Sequence, residues 1–240
     1  DLDLAPDETR AYAVLRDTSQ LAVIDLGSAA LPPVLIDLGG QKIGSLVLSD
    51  SGDRGLLYTN AELIERITVI DLTGPGYAHV TYPLKKAVRH AVFAPSGEAA
   101  LIIHAKAPGD PDGATDFEQL IDRSYGYSIL DVNNGFPKLQ ITEVDPGAFA
   151  FAKTTSRAYL ALGDDQTATA QRRLHIIEMD TGVVREVELS SPPETVGLLP
   201  SAGQAFVSQA HPLGRVSFID VATGAVRTIT GFDLNSQIVD

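Results

Sequence analysis

Two short patterns recur in step along this chain and constrain its fold more than any other feature. The first is an apolar strand, a polar turn and a second strand that begins on a small residue, with the copies LAPDETRAYAVL, LSDSGDRGLLYT, FAPSGEAALIIH, FAKTTSRAYLAL and LLPSAGQAFVSQ. The second is a β-rich run that ends in an acid before a turn, with the copies AVIDLGS, TVIDLTG, SILDVNNG, IIEMDTG and FIDVATG. The two patterns alternate, which indicates a tandem repeat with a period of about 45 residues.

The turns divide each repeat into four strands. Glycine pairs such as Ser-Gly and Thr-Gly, where they occur, supply the positive φ that a tight hairpin requires, and the turns indicate two hairpins in each repeat. We name the strands A to D: A precedes the first turn, B follows it, C is the acid-ending run, and D follows the second turn. A four-stranded unit of about 45 residues is the size of one propeller blade.

We therefore predict an all-β fold, a β-propeller of four-stranded antiparallel blades, formed as one domain over residues 1–240. The five repeats lie near residues 1–40, 41–86, 87–146, 147–192 and 193–240. Five repeats are compatible with a small five-bladed ring or with part of a six- to eight-bladed one. Residues 232–240 read as one more strand, which could close a ring or open a further blade.

The repeat has a recognisable relative. The pair SDSGDRGLLYTN and ITVIDLTG, and the pair APDETRAYAVL and LAVIDL, resemble the YVTN repeat of extracytoplasmic bacterial and archaeal propellers, over nearly the whole chain. The resemblance implies a propeller and a periplasmic, cell-surface or secreted location. It does not imply one function, because such repeats occur in surface-layer proteins, lactonase-like enzymes and subunits of periplasmic redox complexes.

The residues that recur in every repeat are expected to be structural. An acid before a turn usually accepts hydrogen bonds from the backbone N–H groups of that turn. This role is predicted for Asp25, Asp71, Asp131, Glu178 and Asp220. Small residues at the start of strand B fit close packing of neighbouring blades, and these are Ala11, Gly55, Ala99, Ala158 and Ala205.

Composition excludes several classes of function. The chain has 18 Lys and Arg against 31 Asp and Glu, a net charge of -13, so nucleic acid is not an expected partner. The absence of cysteine excludes disulfides, thiolate zinc sites, iron–sulfur clusters and cysteine nucleophiles. No apolar run reaches the roughly 18 to 20 residues of a membrane span, and no motif for a serine or nucleotide-dependent enzyme stands in a suitable context.

Function in a repeat protein is expected where one copy departs from the others. Here the connection between strands B and C departs most, and its third copy, AKAPGDPDGATDFEQLIDRSYG, is the longest and contains the one helix-like segment. The B–C and D–A connections of a propeller share one face. The candidate ligand-binding residues on that face are Lys85, Lys86, Arg89, His90, His104 and His211. The basic stretch around Lys85 could instead lie against the acidic connection of its own blade.

The same connection suggests a metal site. Asp110, Asp112, Asp116 and Glu118 surround Gly113, and calcium prefers several oxygen ligands brought together by a tight turn. The spacing does not match an EF-hand loop, so the alternative is a solvated acidic loop without a cofactor.

Three functions follow from these patterns. The first is a non-enzymatic binding propeller that presents its B–C and D–A loops to a protein, glycan or small ligand. The second is a metal-dependent enzyme, lactonase-like or lyase-like, in which His90, His104 and His211 converge with some of Asp110, Asp112, Asp164 and Asp165. The third is a scaffold subunit of an extracytoplasmic redox complex, with a large apolar patch on one face.

Overall fold

The computed structural model describes residues 1–163 and 171–231 and shows the predicted all-β fold. Five four-stranded antiparallel sheets follow one another along the chain, and within each sheet the strands pair in sequence order. Each sheet coincides with one repeat, which confirms the prediction of a β-propeller fold with four-stranded blades. The strand predicted at 232–240 lies outside the described residues.

The strands match strands A to D of each repeat. Blade 1 contains β1 (Leu2–Leu4), β2 (Arg10–Leu15), β3 (Gln20–Asp25) and β4 (Pro33–Asp37). Blade 2 contains β5 (Ser45–Leu48), β6 (Arg54–Tyr58), β7 (Arg66–Asp71) and β8 (His79–Pro83). Blade 3 contains β9 (Val88–Phe93), β10 (Ala99–His104), β11 (Tyr125–Asp131) and β12 (Phe136–Thr142). Blade 4 contains β13 (Pro146–Ala152), β14 (Arg157–Gly163), β15 (Arg172–Glu178) and β16 (Val183–Glu188), and blade 5 contains β17 (Pro193–Leu199), β18 (Gln204–Gln209), β19 (Arg215–Asp220) and β20 (Val226–Thr230).

Helical structure is confined to connections. Helix α1 (Phe117–Arg123) and a short 3-10 turn (Pro111–Gly113) lie in the B–C connection of blade 3, and a second 3-10 turn (Pro200–Ala202) lies in the A–B connection of blade 5. Within the described ranges, no helix has the length and apolar character needed to cross a membrane.

The chain divides into two compact units, Asp1–Ile141 and Thr142–Asp240. In the first unit, apolar cores centred on Leu21 and Leu57 and on Leu56 and Ile102 join successive blades. In the second unit, an equivalent core joins blades 4 and 5. These cores form because the alternating side chains of a strand give each sheet apolar residues to bury against the next sheet. That all 240 residues act as one domain stays a prediction.

Four of the five recurring acids cap their turns as predicted. The Oδ1 atom of Asp25 accepts a hydrogen bond from the Gly27 N–H at 2.9 Å, and Asp71 accepts one from the Thr73 N–H at 2.8 Å. Asp131 and Asp220 bind the backbone of their own turns in the same way. Glu178 does not, and for it the prediction is wrong. Its longer side chain instead pairs across the sheet with Arg157, with 2.5 Å between Oε1 and Nε.

Strand register corrects one of the aligned small residues. In four blades the small residue of strand B pairs with the residue just before the recurring acid, as Ala11 does with Ile24. In blade 3 that position belongs to Ala100, which pairs with Leu130, whereas the predicted Ala99 pairs with Asp131 itself. The alignment was one residue out there because two alanines stand side by side and sequence alone does not show which one faces the core.

The structure shows the role of a recurring arginine that the sequence analysis did not single out. Arg10, Arg54 and Arg157 each immediately precede the small residue of their repeat. The guanidinium group of each donates to a backbone carbonyl of the following blade: Arg10 to Leu72 at 2.9 Å, Arg54 to Gly97 at 3.2 Å, and Arg157 to Val221. These arginines therefore tie neighbouring blades together. The signal was present in three of the five aligned copies.

Candidate functional site

The B–C and D–A connections meet at blade 3, as the sequence predicted for this edge of the blades. We call residues 105–124, the B–C connection of blade 3, the insertion. The preceding D–A connection, residues 84–87, runs beside it and contributes Lys86. The side chain of Lys86 is buried, and its Nζ donates hydrogen bonds to the carbonyl oxygens of Ile121, at 2.5 Å, and Asp122, at 3.0 Å.

Lys86 is therefore a structural residue and not part of an open ligand site, which corrects its prediction as a ligand-binding residue. The last carbonyl groups of a helix lack partners within the helix and carry partial negative charge. Lys86 supplies a charged donor to two of them at the end of α1. Burial lowers the pKa of Lys86, and the nearby carboxylates of Asp122 and Glu65 partly offset that effect. The alternative prediction, that this basic stretch lies against its own insertion, is confirmed for Lys86.

Hydrogen bonds within the insertion give it a defined shape. Asp110 caps the 3-10 turn, its Oδ1 accepting from the Asp112 N–H at 3.0 Å. Asp116 is the N-cap of α1 and accepts from the Gln119 N–H at 2.8 Å. From the other end of the helix, Arg123 Nη1 donates to the Gly113 carbonyl at 2.8 Å and closes the loop on itself. Such N-caps typically contribute about 1 kcal/mol each.

The four acids of the predicted calcium site, Asp110, Asp112, Asp116 and Glu118, are all exposed. Two of them already accept backbone hydrogen bonds as caps of two successive helical turns, and this separates them along the insertion. In the part of the chain that the structure describes, no three His, Asp or Glu side chains stand close enough to hold a metal ion. The described residues thus do not assemble this ligand set, and both calcium binding and its alternative, a solvated acidic loop without a cofactor, stay predictions.

His104 is also buried and bonded within its own blade. Its Nδ1 lies 3.2 Å from the Ala87 carbonyl, which can only accept, so Nδ1 carries the proton. Its Nε2 then accepts from the Ser128 hydroxyl at 2.7 Å. Burial lowers the pKa of His104 to about 4, so the ring is neutral at pH 7. The prediction that His104 faces a ligand on the loop surface is wrong, because the side chain at the end of β10 turns into the sheet.

The strand registers of blades 3 and 5 show that His104 and Gln209 occupy equivalent positions, so both blades have a polar residue there. Ile102 pairs with Ser128 in blade 3, and Val207 pairs with Ser217 in blade 5. Two residues further along strand B stand His104 and Gln209 respectively. Gln209 donates from Nε2 to the Ser217 hydroxyl at 2.7 Å, just as His104 bonds to Ser128. In each of these two blades, a separate buried polar network links strands B and C to the preceding D–A connection.

The remaining predicted ligand residues are divided between the two units, with Lys85, Arg89 and His90 in the first and His211 in the second. Lys85 and His90 are exposed, and Arg89 is half-buried. Partial desolvation and the charge of Arg89 lower the pKa of His90. His211 belongs to the second unit, where its Nδ1 accepts from the Leu213 N–H at 3.2 Å.

The metal-dependent enzyme also invoked Asp164 and Asp165, and both lie outside the described residues.

The sequence pattern did not mark the most prominent feature of the insertion, its exposed apolar side chains. Phe117 is 74% exposed and Leu120 is 39% exposed. They stand three residues apart on α1 and so project from the same side of the helix. The sequence predicts that this segment is helix-like. Which of its apolar residues face solvent, however, depends on the hydrogen bonds by which Lys86 and Arg123 hold α1 in place. This docking is not readable from local sequence.

The B–C connection of blade 2 adjoins the insertion. Burial raises the pKa of Glu65, and the carboxylates of Asp122 and Glu118 on the insertion raise it further, so these groups lie within electrostatic range. Leu63, two residues earlier, is 61% exposed. The edge therefore combines exposed apolar side chains with several carboxylates.

The comparisons with known proteins agree on fold alone. No protein-family model matches the chain, and no curated protein matches it. A chain of hydrazine synthase from Kuenenia stuttgartiensis matches with a TM-score of 0.54 and 13% identity, over 92% of this chain and 64% of that one. A chain from a crystal structure of a mitotic checkpoint complex matches with a TM-score of 0.55 and 11% identity, over 96% of this chain and 63% of that one. Both are propeller-type proteins, and this chain spans slightly less than two thirds of each.

Proposed function

We propose that this protein is a non-enzymatic binding propeller and that the insertion of blade 3 recognises a protein partner. The propeller fold is compatible with many functions, so the function depends on the site that the fold carries. The observation that carries it is the presentation of Phe117, a large aromatic side chain held in solvent on an anchored helix.

The anchoring matters because a flexible loop would have to be ordered on binding. Lys86 fixes the C-terminal end of α1, Asp116 caps its N-terminal end, and Arg123 closes the loop before it. Holding a loop in its binding conformation removes an entropy cost of about 0.5–1.5 kcal/mol for each side chain that would otherwise be immobilised. The insertion is thus built as a rigid surface.

The exposure of Phe117 also indicates a contact. Full burial of a phenylalanine side chain is worth about 1.5–3 kcal/mol, and most of this is unused in the unbound protein. Aromatic residues are enriched in the buried centres of protein interfaces. One of the structural neighbours is a chain of a multiprotein complex, which favours a protein over a glycan or small ligand as the partner.

The proposal includes the type of repeat and the location. The paired half-motifs support membership of the YVTN-type repeats and, with it, an extracytoplasmic site of action. The enzyme alternative has less support, because the described residues hold no group of three His, Asp or Glu side chains that could bind a metal ion. The redox-scaffold alternative predicts one large apolar patch, whereas the exposed apolar side chains of the described residues are distributed over all five blades.

Site-specific photocrosslinking tests the proposal. Benzoylphenylalanine placed at Phe117 in the source organism should give a covalent adduct with another protein. The matched control is Phe136, which is 69% exposed in the same blade but stands at the start of β12, after the C–D turn. Adducts from position 117 and none from position 136 are expected. Equal adducts from both positions, or none from 117, would refute the insertion as the recognition surface.

A further inference from the structure

We infer that the partner presents a basic, amphipathic polypeptide segment to the insertion, an inference that rests on the proposed function. The insertion is negatively charged. Residues 105–124 contain five acids and two bases. Four of the acids are exposed, namely Asp110, Asp112, Asp116 and Glu118.

The two positive charges of the insertion, and Lys86 beneath it, interact with their own chain, whereas Lys85 on the adjoining connection is exposed. Arg123 donates to the Gly113 carbonyl, and Lys86 is buried under the end of α1. The ammonium group of Lys106 lies 4.7 Å from the ring centre of Tyr125, a cation–π contact. What the insertion offers to an approaching molecule is therefore dominated by carboxylates.

The apolar residues lie among these carboxylates. Phe117 stands between Asp116 and Glu118 in sequence, and Leu120 follows one turn later. A complementary partner needs an aliphatic or aromatic side chain to cover Phe117 and lysine or arginine on either side of it. An acidic segment would meet like charges, which costs affinity and slows association.

The overall charge supports the same choice of partner. A net charge of -13 attracts basic segments and repels nucleic acid and anionic membrane surfaces. Exposed rim charges act mainly on association rate and specificity, while a central aromatic contributes most of the affinity. The two contributions should therefore separate in a mutational test.

Peptide display on the full chain provides that test. A random peptide library is selected on the wild-type protein and counter-selected on the Phe117→Ser variant, so that only binders that need Phe117 survive. The expected survivors carry an aromatic or aliphatic residue flanked by at least two lysines or arginines. Phe117→Ser should weaken a synthetic peptide of this kind about tenfold or more.

A second variant isolates the charge. Asp116→Asn with Glu118→Gln removes two carboxylates, and asparagine preserves the helix cap because it caps as well as aspartate. We expect binding to weaken about threefold to tenfold, and the same peptide to bind more weakly as salt is raised. Phe136→Ser, the matched exposed control, should leave binding unchanged. Thermal melts of all variants should coincide with the wild type, since none alters a buried side chain.

The outcomes separate the two proposals. Surviving peptides that are neutral or acidic would overturn the basic partner but leave the insertion as the binding surface. Basic peptides that bind equally to Phe117→Ser would indicate general attraction to an acidic protein and would overturn the inference. A selection without survivors would overturn it as well. Crosslinking from position 117 judges the proposed function independently, because it does not depend on the partner's charge.

Discussion

Acidification from pH 7 to pH 5 should destabilise the protein through His104, and replacing His104 with glutamine should remove that part of the effect. The pKa of His104 in the folded protein is about 4, below its ordinary value of 6.5, because the ring is buried. The unfolded chain therefore takes up a proton first as the pH falls. Between pH 6.5 and pH 4 the unfolded state binds more protons, and folding becomes less favourable.

The size of the effect follows from the two pKa values. Each pKa unit corresponds to about 1.4 kcal/mol, so the full loss below pH 4 is about 3 kcal/mol. At pH 5, between the two values, about 2 kcal/mol should already be lost. His175 is also buried with a lowered pKa and acts in the same direction, so the wild type alone does not isolate His104.

Urea denaturation followed by far-ultraviolet circular dichroism at pH 7 and pH 5 measures the difference. His104→Gln is the matched variant, since Gln209 stands at the equivalent position of blade 5 and bonds to the Ser217 hydroxyl. The pH-dependent change in unfolding free energy should be about 2 kcal/mol larger for the wild type than for His104→Gln. Identical pH dependence in the two proteins would refute the buried, neutral state of His104 and would restore it as a candidate surface residue.

Two further predictions concern the insertion. Lys86→Met removes charged hydrogen bonds to two carbonyl groups and should reduce the local stability of residues 105–124 by about 2 kcal/mol, which would make amide hydrogen exchange there about 30-fold faster. Lys85→Met, at the exposed neighbouring residue, should leave the exchange rates unchanged. Equal effects of the two variants would contradict the anchoring role of Lys86. Calcium added at millimolar concentration should leave the melting temperature unchanged, since the described residues assemble no group of three candidate ligands; a calcium-dependent rise would show that the four acids rearrange into the predicted site.

The fold could be read from sequence because its signals are local. Each hairpin depends on a turn of a few residues, and the glycines predicted at positive φ in two of these turns have it, with φ of 75° at Gly52 and 71° at Gly224. An acid and the turn it caps are two or three residues apart, so Asp71 and its equivalents were also predictable. Because the same turn pattern occurs in five repeats, local signals that are weak singly together indicate the fold.

The failures occurred where the answer depends on contacts between distant residues. Lys86 bonds to carbonyls about 35 positions away, and Arg10 to a carbonyl of the next blade. A lysine in a basic stretch is exposed in most proteins, so its local sequence pointed the wrong way. His104 stands at the end of strand B and was therefore expected on the loop surface, but its side chain is fixed by Ala87 and Ser128, which lie 17 and 24 positions away in the chain. None of these hydrogen bonds has a signature within a few residues of the side chain concerned, although the charges of the basic stretch around Lys85 did predict a contact with the acidic connection of its own blade.

The burial of Lys86 bears on which part of the molecule is functional. Among residues 1–163 and 171–231, it is the one Lys, Arg, Asp or Glu that is buried. Removing an ammonium group from water is costly, and the bonds it makes here stabilise only the end of α1. None of the side chains of that helix is fully buried, so it contributes little to the apolar cores between blades. A buried charge thus fixes an exposed element in place, and this supports the proposal that the insertion is a surface preorganised to bind.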